Sequence, residues 1–105
     1  MSRPIVVTAE FTPIEGAYDE LVEVLSEAIA EVHQEPGCLL YAIHQHPDGR
    51  VIMIEKWESE ELLDVHGSSP AVERLGAGAA PLLAGPAVVT RLVPIPAGTA
   101  EQGQL

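Results

Sequence analysis

His66 is the residue whose type and position most directly suggest chemistry. An imidazole has an unperturbed pKa of about 6.5, so it can take or give a proton near neutral pH. His66 follows Leu62 by four residues and Leu63 by three, and in a helix these three side chains lie on one face. We expect the imidazole to point into the fold. It is interpreted either as a general base or hydrogen-bond donor, or as a core histidine bonded to a backbone carbonyl.

A second candidate group lies on a predicted β-hairpin. Residues 38–46 and 51–58 are rich in β-branched and aromatic side chains, and they flank the segment Pro47-Asp48-Gly49-Arg50. An Asp-Gly pair between two such runs is a strong hairpin signal. Two antiparallel strands joined by a tight turn are therefore predicted.

The register of this hairpin decides which side chains meet. If residues 47–50 form the turn, His44 pairs with Met53 and shares one face with Glu55 and Trp57. An indole on such a face is a natural wall for a flat aromatic substrate. A carboxyl among apolar neighbours has a raised pKa unless it is paired. His44, Glu55 and Trp57 are thus the predicted substrate-binding side chains.

The same face allows other interpretations. His44, His46 and Glu55 have the composition of a two-histidine, one-carboxylate metal site. The position of His46 beside the turn argues against that site, since its side chain is expected in solvent. His44 and Glu55 could instead be polar groups in a dimer interface, and Trp57 could be a packing residue.

Two further side chains near the hairpin have predicted neighbours. The assumed register puts Tyr41 on the opposite face from His44 and Glu55, with Lys56 across the strands. Arg91 lies in a predicted strand, and we expect it to pair with Glu10 or Glu55, or to meet an acidic substrate.

The remaining pattern supplies the elements that must position these residues. Alternating and β-branched residues predict the outer strands, and apolar residues three and four apart predict the helices. Ser59 and Ser69 are plausible N-caps, and Pro70 suits a first helical turn. The predicted elements are a strand over 4–12, a helix over 14–33, the hairpin strands, a helix over 60–66, a second helical piece from Ser69-Pro70, and a strand over 87–93.

This order predicts an α+β, ferredoxin-like βαββαβ fold, a four-stranded antiparallel sheet with helices on one face. The domain is expected to span residues 1–94, followed by a flexible, Pro- and Gly-rich tail over 95–105. Both faces of the hairpin are apolar, so a bare sheet face would need a cover. We expect two copies to pack sheet against sheet as a homodimer.

Composition restricts the partners and the compartment. The chain has 105 residues, a size that fits one domain, and a formal net charge of −11. That charge repels phosphate and anionic lipid, so neither nucleic acid nor a membrane is an expected partner. The sequence contains no long apolar run or signal peptide and a single cysteine, Cys38. A cytoplasmic location is expected.

The sequence also resembles a known family. Glu35-Pro36-Gly37-Cys38-Leu39-Leu40-Tyr41, Pro47-Asp48, the run from Glu55-Lys56-Trp57-Glu58-Ser59 through His66, and Ser69-Pro70 are similar to motifs of the antibiotic biosynthesis monooxygenase superfamily of dimeric α+β barrels. The resemblance covers residues 4–94. It implies a cofactor-independent monooxygenase that oxidises a phenolic, hydroquinone or polycyclic aromatic substrate with O₂. His66 would be the base.

The superfamily includes other activities, so alternatives stay open. An isomerase or lyase would use the same His66 on a small carbonyl compound, and a non-catalytic ligand-binding dimer would use no residue chemically. The haem-degrading members carry Asn, Trp and a ligating His where this chain has Ala9, His66 and Gly76. Without an axial ligand, haem iron is poorly held. No cofactor and no metal are expected.

Overall fold

The computed structural model describes residues 3–105, so Met1 and Ser2 of the predicted domain lie outside the described residues. The α+β, ferredoxin-like prediction is confirmed: the four strands form one antiparallel sheet in the order β2-β3-β1-β4. The elements are β1 (Ile5–Phe11), α1 (Tyr18–Val32), β2 (Cys38–Gln45), β3 (Val51–Trp57), α2 (Glu60–Gly67), α3 (Pro70–Ala79) and β4 (Val88–Leu92). Residues 93–105 contain no helix or strand.

The first helix begins later than its apolar pattern predicts. It buries Leu21, Leu25 and Val32 against the sheet, as the three- and four-residue spacing requires. The predicted start at Ile14 was wrong, because the backbone N–H of Ile14 donates to the Leu82 carbonyl at 2.8 Å. Gly16 then takes a φ of +83°, which no helix accommodates.

The second helical region is divided as predicted. The Ser59 hydroxyl caps α2 by accepting from the Leu62 N–H, and the Ser69 hydroxyl caps α3 by accepting from the Val72 N–H. Helix α3 continues through both of its glycines, since Ala71, Leu75 and Ala79 recur at the spacing of one buried face. Tertiary packing therefore overrides the low helix propensity of glycine.

The predicted hairpin register was wrong by one residue. Gln45 pairs with Val51, so His44 lies opposite Ile52 and Glu55 lies opposite Tyr41. The reason is the turn: Gly49 adopts a φ of +94° and five residues separate the last strand pair. This loop is one residue longer than the turn over 47–50 on which the predicted register rests. Because side chains alternate along a strand, one residue moves His44 to the other face from Glu55.

The two faces of the sheet have different environments. One packs on the helices and holds the core, including Val7, Met53 and Trp57. The other, which we call the open face, carries no helix. It consists of Val6, Thr8, Glu10, Leu40, Ala42, His44, Ile52, Ile54, Lys56, Val88, Thr90 and Leu92. No helix within residues 3–105 has the length and apolar character of a membrane span.

Candidate active site

A cavity of about 590 Å³ lies between the helix-side face of the sheet and the helices α2 and α3. Its walls are mostly aliphatic. The polar end is formed by His66, Glu55 and Tyr41. A volume in this range is typical of small-molecule sites.

His66 is confirmed as an inward-facing side chain, with 6% of its surface exposed. Its Nδ1 lies 2.8 Å from Glu35 Oε1. A carboxylate can only accept, so Nδ1 carries the hydrogen and donates it. In the neutral imidazole, Nε2 is then the basic nitrogen, and His66 lines the cavity. This is the arrangement in which a carboxylate fixes the tautomer of a general base.

A glycine turn brings Glu35 to the imidazole. Gly37 follows α1 with a φ of +84°, and its carbonyl accepts from the Glu58 N–H at 2.9 Å. A Cβ at Gly37 would lie 2.5 Å from Leu62 Cδ1. The turn therefore packs directly against α2, one helical turn before His66.

Replacing Gly37 with alanine is expected to lower the free energy of unfolding by about 2–5 kcal/mol. Left-handed backbone strain contributes about 1–2 kcal/mol, and the clash with Leu62 adds about 1–3 kcal/mol. Gly16→Ala is the matched control, because Gly16 has a φ of +83° but nothing within 4 Å of its added Cβ. Chemical denaturation measures both. Equal losses in the two variants would show that the contact with Leu62 is unimportant.

Glu55 is the second acid–base group of the site. It is 5% exposed, its Oε1 accepts from Trp57 Nε1 at 2.9 Å, and the same oxygen lies 3.9 Å from His66 Nε2. Burial raises the pKa of Glu55 and the charge of Glu35 adds to this, whereas the Trp57 hydrogen bond and His66 oppose it. Since Oε1 accepts from Trp57, a proton held by Glu55 sits on Oε2.

Two aromatic rings enclose the imidazole. The Trp57 ring lies 4.3 Å from the His66 ring, between centroids, and is tilted by 33°. Tyr41 meets His66 edge to face at 5.3 Å. Trp57 is fully buried behind His66 rather than on the cavity surface, so the substrate wall predicted for the indole is formed by other residues, among them Tyr41.

The Tyr41 hydroxyl is an unused donor. Burial raises the pKa of Tyr41 well above its usual value of 10, and the charges of Glu55 and Glu35 add to the shift. Glu35 Oε2 is the one buried side-chain oxygen or nitrogen in residues 3–105 that lacks a hydrogen-bond partner. The Tyr41 hydroxyl makes no hydrogen bond with those residues either, yet it is not one of the buried atoms without a partner. It is therefore accessible, and Tyr41 lines the cavity.

The structure does not bring His44 to this site. His44 is exposed on the open face, where its Nδ1 lies 3.4 Å from the Ile52 carbonyl oxygen, so its predicted place beside Glu55 was wrong. Within the described part of the chain, no three His, Cys, Asp or Glu side chains are placed to hold a metal ion. The combination of His44, His46 and Glu55 therefore does not assemble.

Arg91 also has partners other than the predicted ones. Its guanidinium donates to Asp64 at 2.8 Å and lies 3.7 Å from Glu60, both on α2. Glu10, one of its predicted partners, pairs instead with Arg50. Arg91 lines the cavity on the side of β4.

Comparison with known proteins places this chain in a family. The model of the antibiotic biosynthesis monooxygenase family matches residues 4–77, which is more than half of the chain. The chain belongs to the antibiotic biosynthesis monooxygenase family. The resemblance seen in the sequence motifs is thus confirmed.

Relatives of known structure share the fold over nearly the whole chain. The protein named "Putative monooxygenase Rv0793" from Mycobacterium tuberculosis is 32% identical over 96 residues, which cover 90% of this chain and 95% of the relative. The solved structure of Rv0793 matches with a TM-score of 0.84 at 31% identity, covering 91% of this chain and 99% of that one. PA3566 from Pseudomonas aeruginosa matches with a TM-score of 0.80 at 29% identity, covering 90% and 97% of the two chains.

Within this family, the positions compared with haem-degrading members fall on one surface. Ala9, His66 and Gly76 all line the cavity. Gly76, the position compared above with a ligating histidine, therefore lies on the cavity wall.

Sequence reasoning missed Glu35 and misplaced Tyr41. Glu35 has no role in the site predicted from the sequence, although it follows the buried Val32, the last residue of α1, by three positions. That spacing, together with Gly37 two residues later, is the signal that could have identified it. Tyr41 was misplaced only because of the register error.

Proposed function

We propose that this protein is a cofactor-independent monooxygenase that oxidises a phenolic, hydroquinone or polycyclic aromatic substrate with O₂. The observation that carries the proposal is His66, which lines the cavity and whose Nδ1 is held by Glu35, so that Nε2 is left as the basic nitrogen. Membership in a family of monooxygenases supports it.

The geometry suits removal of a phenolic proton. Nε2 takes the proton, and the resulting imidazolium is stabilised by the Glu35 carboxylate at 2.8 Å and by the Trp57 ring at 4.3 Å. The phenolate stays in a largely apolar cavity, where it passes one electron to O₂. The two radicals combine into a peroxide, which takes the proton back from His66 and loses water. One oxygen atom ends in the quinone and the other in water.

Tyr41 is suited to bind the rest of the substrate. Its hydroxyl stays protonated at any physiological pH and remains free within the described chain. It can donate a hydrogen bond to a second oxygen of the substrate, or to the oxyanion formed after proton removal. Arg91 is occupied by Asp64 and Glu60, so the cavity favours an uncharged substrate.

Oxygen uptake is the direct test. Purified protein is mixed with a panel of hydroquinones and anthrones in an oxygen electrode, and the product is analysed by mass spectrometry after reaction under ¹⁸O₂. We expect substrate-dependent uptake and one labelled oxygen atom in the product. Tight binding without uptake across the panel would instead favour a non-catalytic ligand-binding protein.

We also propose that two copies pack through their open faces. Ile52 and Ile54 are half-buried there, while Val88 and Leu92 remain largely exposed. An apolar sheet face of this extent needs a cover, and dimers are common in the family. Sedimentation at micromolar concentration is expected to give twice 11.2 kDa.

A charge on the open face tests this interface. Ile54→Lys should yield a monomer, because a buried and unpaired ammonium opposes association. Ile14→Lys is the control, since Ile14 is 45% exposed outside the sheet and should leave the mass unchanged. A native protein that sediments as a folded monomer would contradict the proposed dimer.

A further inference from the structure

We propose that the ligand of this cavity is an arene with two hydroxyl groups on adjacent ring carbons, a vicinal diol, and that Glu55 selects it by accepting a hydrogen bond from the second hydroxyl. The inference rests on the proposed function and deepens it, since it specifies which phenolic substrate the site takes. It gives Glu55 a binding role that removal of a single phenolic proton does not require.

Three buried side chains each leave one polar atom unpaired. His66, Glu55 and Tyr41 are buried, yet His66 Nε2, Glu55 Oε2 and the Tyr41 hydroxyl make no hydrogen bond within residues 3–105. None of these atoms is enclosed, because Glu35 Oε2 is the buried side-chain atom without a partner in that range. All three residues line the cavity. Since buried polar groups are normally paired, we assign these atoms to the ligand.

The sheet register brings the three groups to one end of the cavity. Tyr41 lies opposite Glu55 on neighbouring strands, and such pairs have Cβ atoms about 5 Å apart. His66 reaches them from α2, with its ring 5.3 Å from the Tyr41 ring. Arg91 lies two strands from Glu55, beyond Val7, and is held by acidic side chains of α2. A ligand therefore meets its polar partners along one edge.

The hydrogen-bonding capacity of this end requires two ligand hydrogens. His66 Nδ1 donates to Glu35, so Nε2 of the neutral ring accepts, and an ionised Glu55 also only accepts. A single hydroxyl has one hydrogen, so it satisfies only one of these two acceptors. The other acceptor needs a second O–H group. The Tyr41 hydroxyl supplies the donor, to the oxygen that His66 deprotonates.

The spacing of the two acceptors requires the hydroxyls to be neighbours. His66 Nε2 and Glu55 Oε1 are 3.9 Å apart, so the two side chains face the ligand side by side. Hydroxyls on adjacent ring carbons lie at the same edge of the ring and reach both side chains. In a para-diol the hydroxyls point apart, so one of them would meet the aliphatic walls. A hydroxyl buried there loses its hydrogen bonds to water.

The environment of Glu55 strengthens this preference. Burial raises the pKa of Glu55 because the carboxylate has lost much of its hydration. A hydroxyl donor replaces part of that hydration, and hydrogen bonds to a charged group are stronger than those between neutral groups. An ether oxygen in the same place brings only lone pairs toward the carboxylate. The site should therefore bind a vicinal diol and reject its monomethyl ether.

Isothermal titration calorimetry under argon measures binding without oxidation. The probes are 2,3-dihydroxynaphthalene, its monomethyl ether, 2,7-dihydroxynaphthalene and 2-naphthol, with EDTA present to remove trace metal ions. We expect the 2,3-diol to bind at least about tenfold more tightly than 2-naphthol and than the ether, because it adds a hydrogen bond to a charged acceptor. The 2,7-diol, whose second hydroxyl is remote, should bind no more tightly than 2-naphthol.

Two variants separate the role of Glu55 from an effect of cavity shape. Glu55→Gln still accepts from Trp57, but its amide turns a donor toward the ligand, so the preference for the 2,3-diol over the ether should fall by about tenfold or more. Glu58→Gln makes the same chemical change at an exposed neighbour and should leave that preference unaltered. A change of shape that weakens both ligands equally cancels in the ratio of their affinities.

The outcomes separate this inference from the proposed oxygenase. Selective binding of the 2,3-diol that depends on Glu55 supports it, even if no probe consumes oxygen. Equal affinities of the wild type for the 2,3-diol and 2-naphthol, binding of neither, or an unchanged preference in folded Glu55→Gln overturns it. The wild-type comparison holds even if a variant fails to fold. Oxygen uptake with hydroquinones by a protein that does not prefer the 2,3-diol would leave the oxygenase standing and remove this inference.

Discussion

Replacing His66 with glutamine is expected to lower the rate of oxygen uptake by roughly 10²–10⁴, the usual contribution of a general base. Glutamine keeps much of the volume and can still donate to Glu35 Oε1, which lies 2.8 Å from His66 Nδ1. It cannot take a proton near neutral pH. Because the binding contacts of the cavity persist, KM should change little while kcat falls.

A parallel measurement of stability separates catalysis from packing. His66→Ala removes the bond to Glu35 and leaves a hole beside Trp57, so a loss of about 1–3 kcal/mol in unfolding free energy is expected. His66→Gln should recover much of that stability without recovering the rate. Full activity in His66→Gln would remove His66 from the mechanism and leave it as a buried structural side chain.

The inward position of His66 could be predicted because it depends on local periodicity. Leu62 and Leu63 define the buried side of a short helix, and the Ser59 cap defines where that helix begins. Every step of this inference uses residues within eight positions of one another. The same holds for the order of strands and helices, which follows from apolar spacing and turn residues.

The composition of the polar end could not be predicted in the same way. Whether Tyr41 or His44 lies on the same face as Glu55 depends on one residue of loop length, set by the φ of +94° at Gly49. An Asp-Gly sequence is compatible with turns of different lengths. The sequence therefore identifies a hairpin without settling which alternate set of side chains enters the cavity.

Glu35 shows a different limit. Its partner His66 lies 31 positions away, and the contact forms only because the Gly37 turn packs on Leu62. Acidic side chains usually face solvent, so composition argues against the arrangement that the fold produces. A contact between two elements that are far apart in sequence depends on how those elements are placed relative to each other. Local sequence patterns do not carry that information.

Trp57 is expected to be the largest single contributor to stability in the site. Its side chain is fully buried, contacts the rings of His66 and Tyr41 and donates to Glu55. Trp57→Ala should lower the free energy of unfolding by about 3–5 kcal/mol, the usual cost of removing a large aromatic side chain from a core. Chemical denaturation followed by circular dichroism measures it.

Trp57→Phe separates the ring from its hydrogen bond. Phenylalanine keeps most of the packing but leaves Glu55 Oε1 buried without its donor, which costs about 1–3 kcal/mol. The Trp57 hydrogen bond lowers the pKa of Glu55, so its loss raises that pKa further. A raised native pKa means that the folded state binds the proton more tightly than the unfolded state, so unfolding free energy falls as pH rises through the Glu55 titration. The deficit of Trp57→Phe should therefore be larger at pH 8 than at pH 5. Glutamine at position 55 does not ionise, so combining Glu55→Gln with Trp57→Phe should remove the difference between the deficits at pH 8 and pH 5. A deficit of Trp57→Phe that does not depend on pH would show that packing alone explains the role of Trp57.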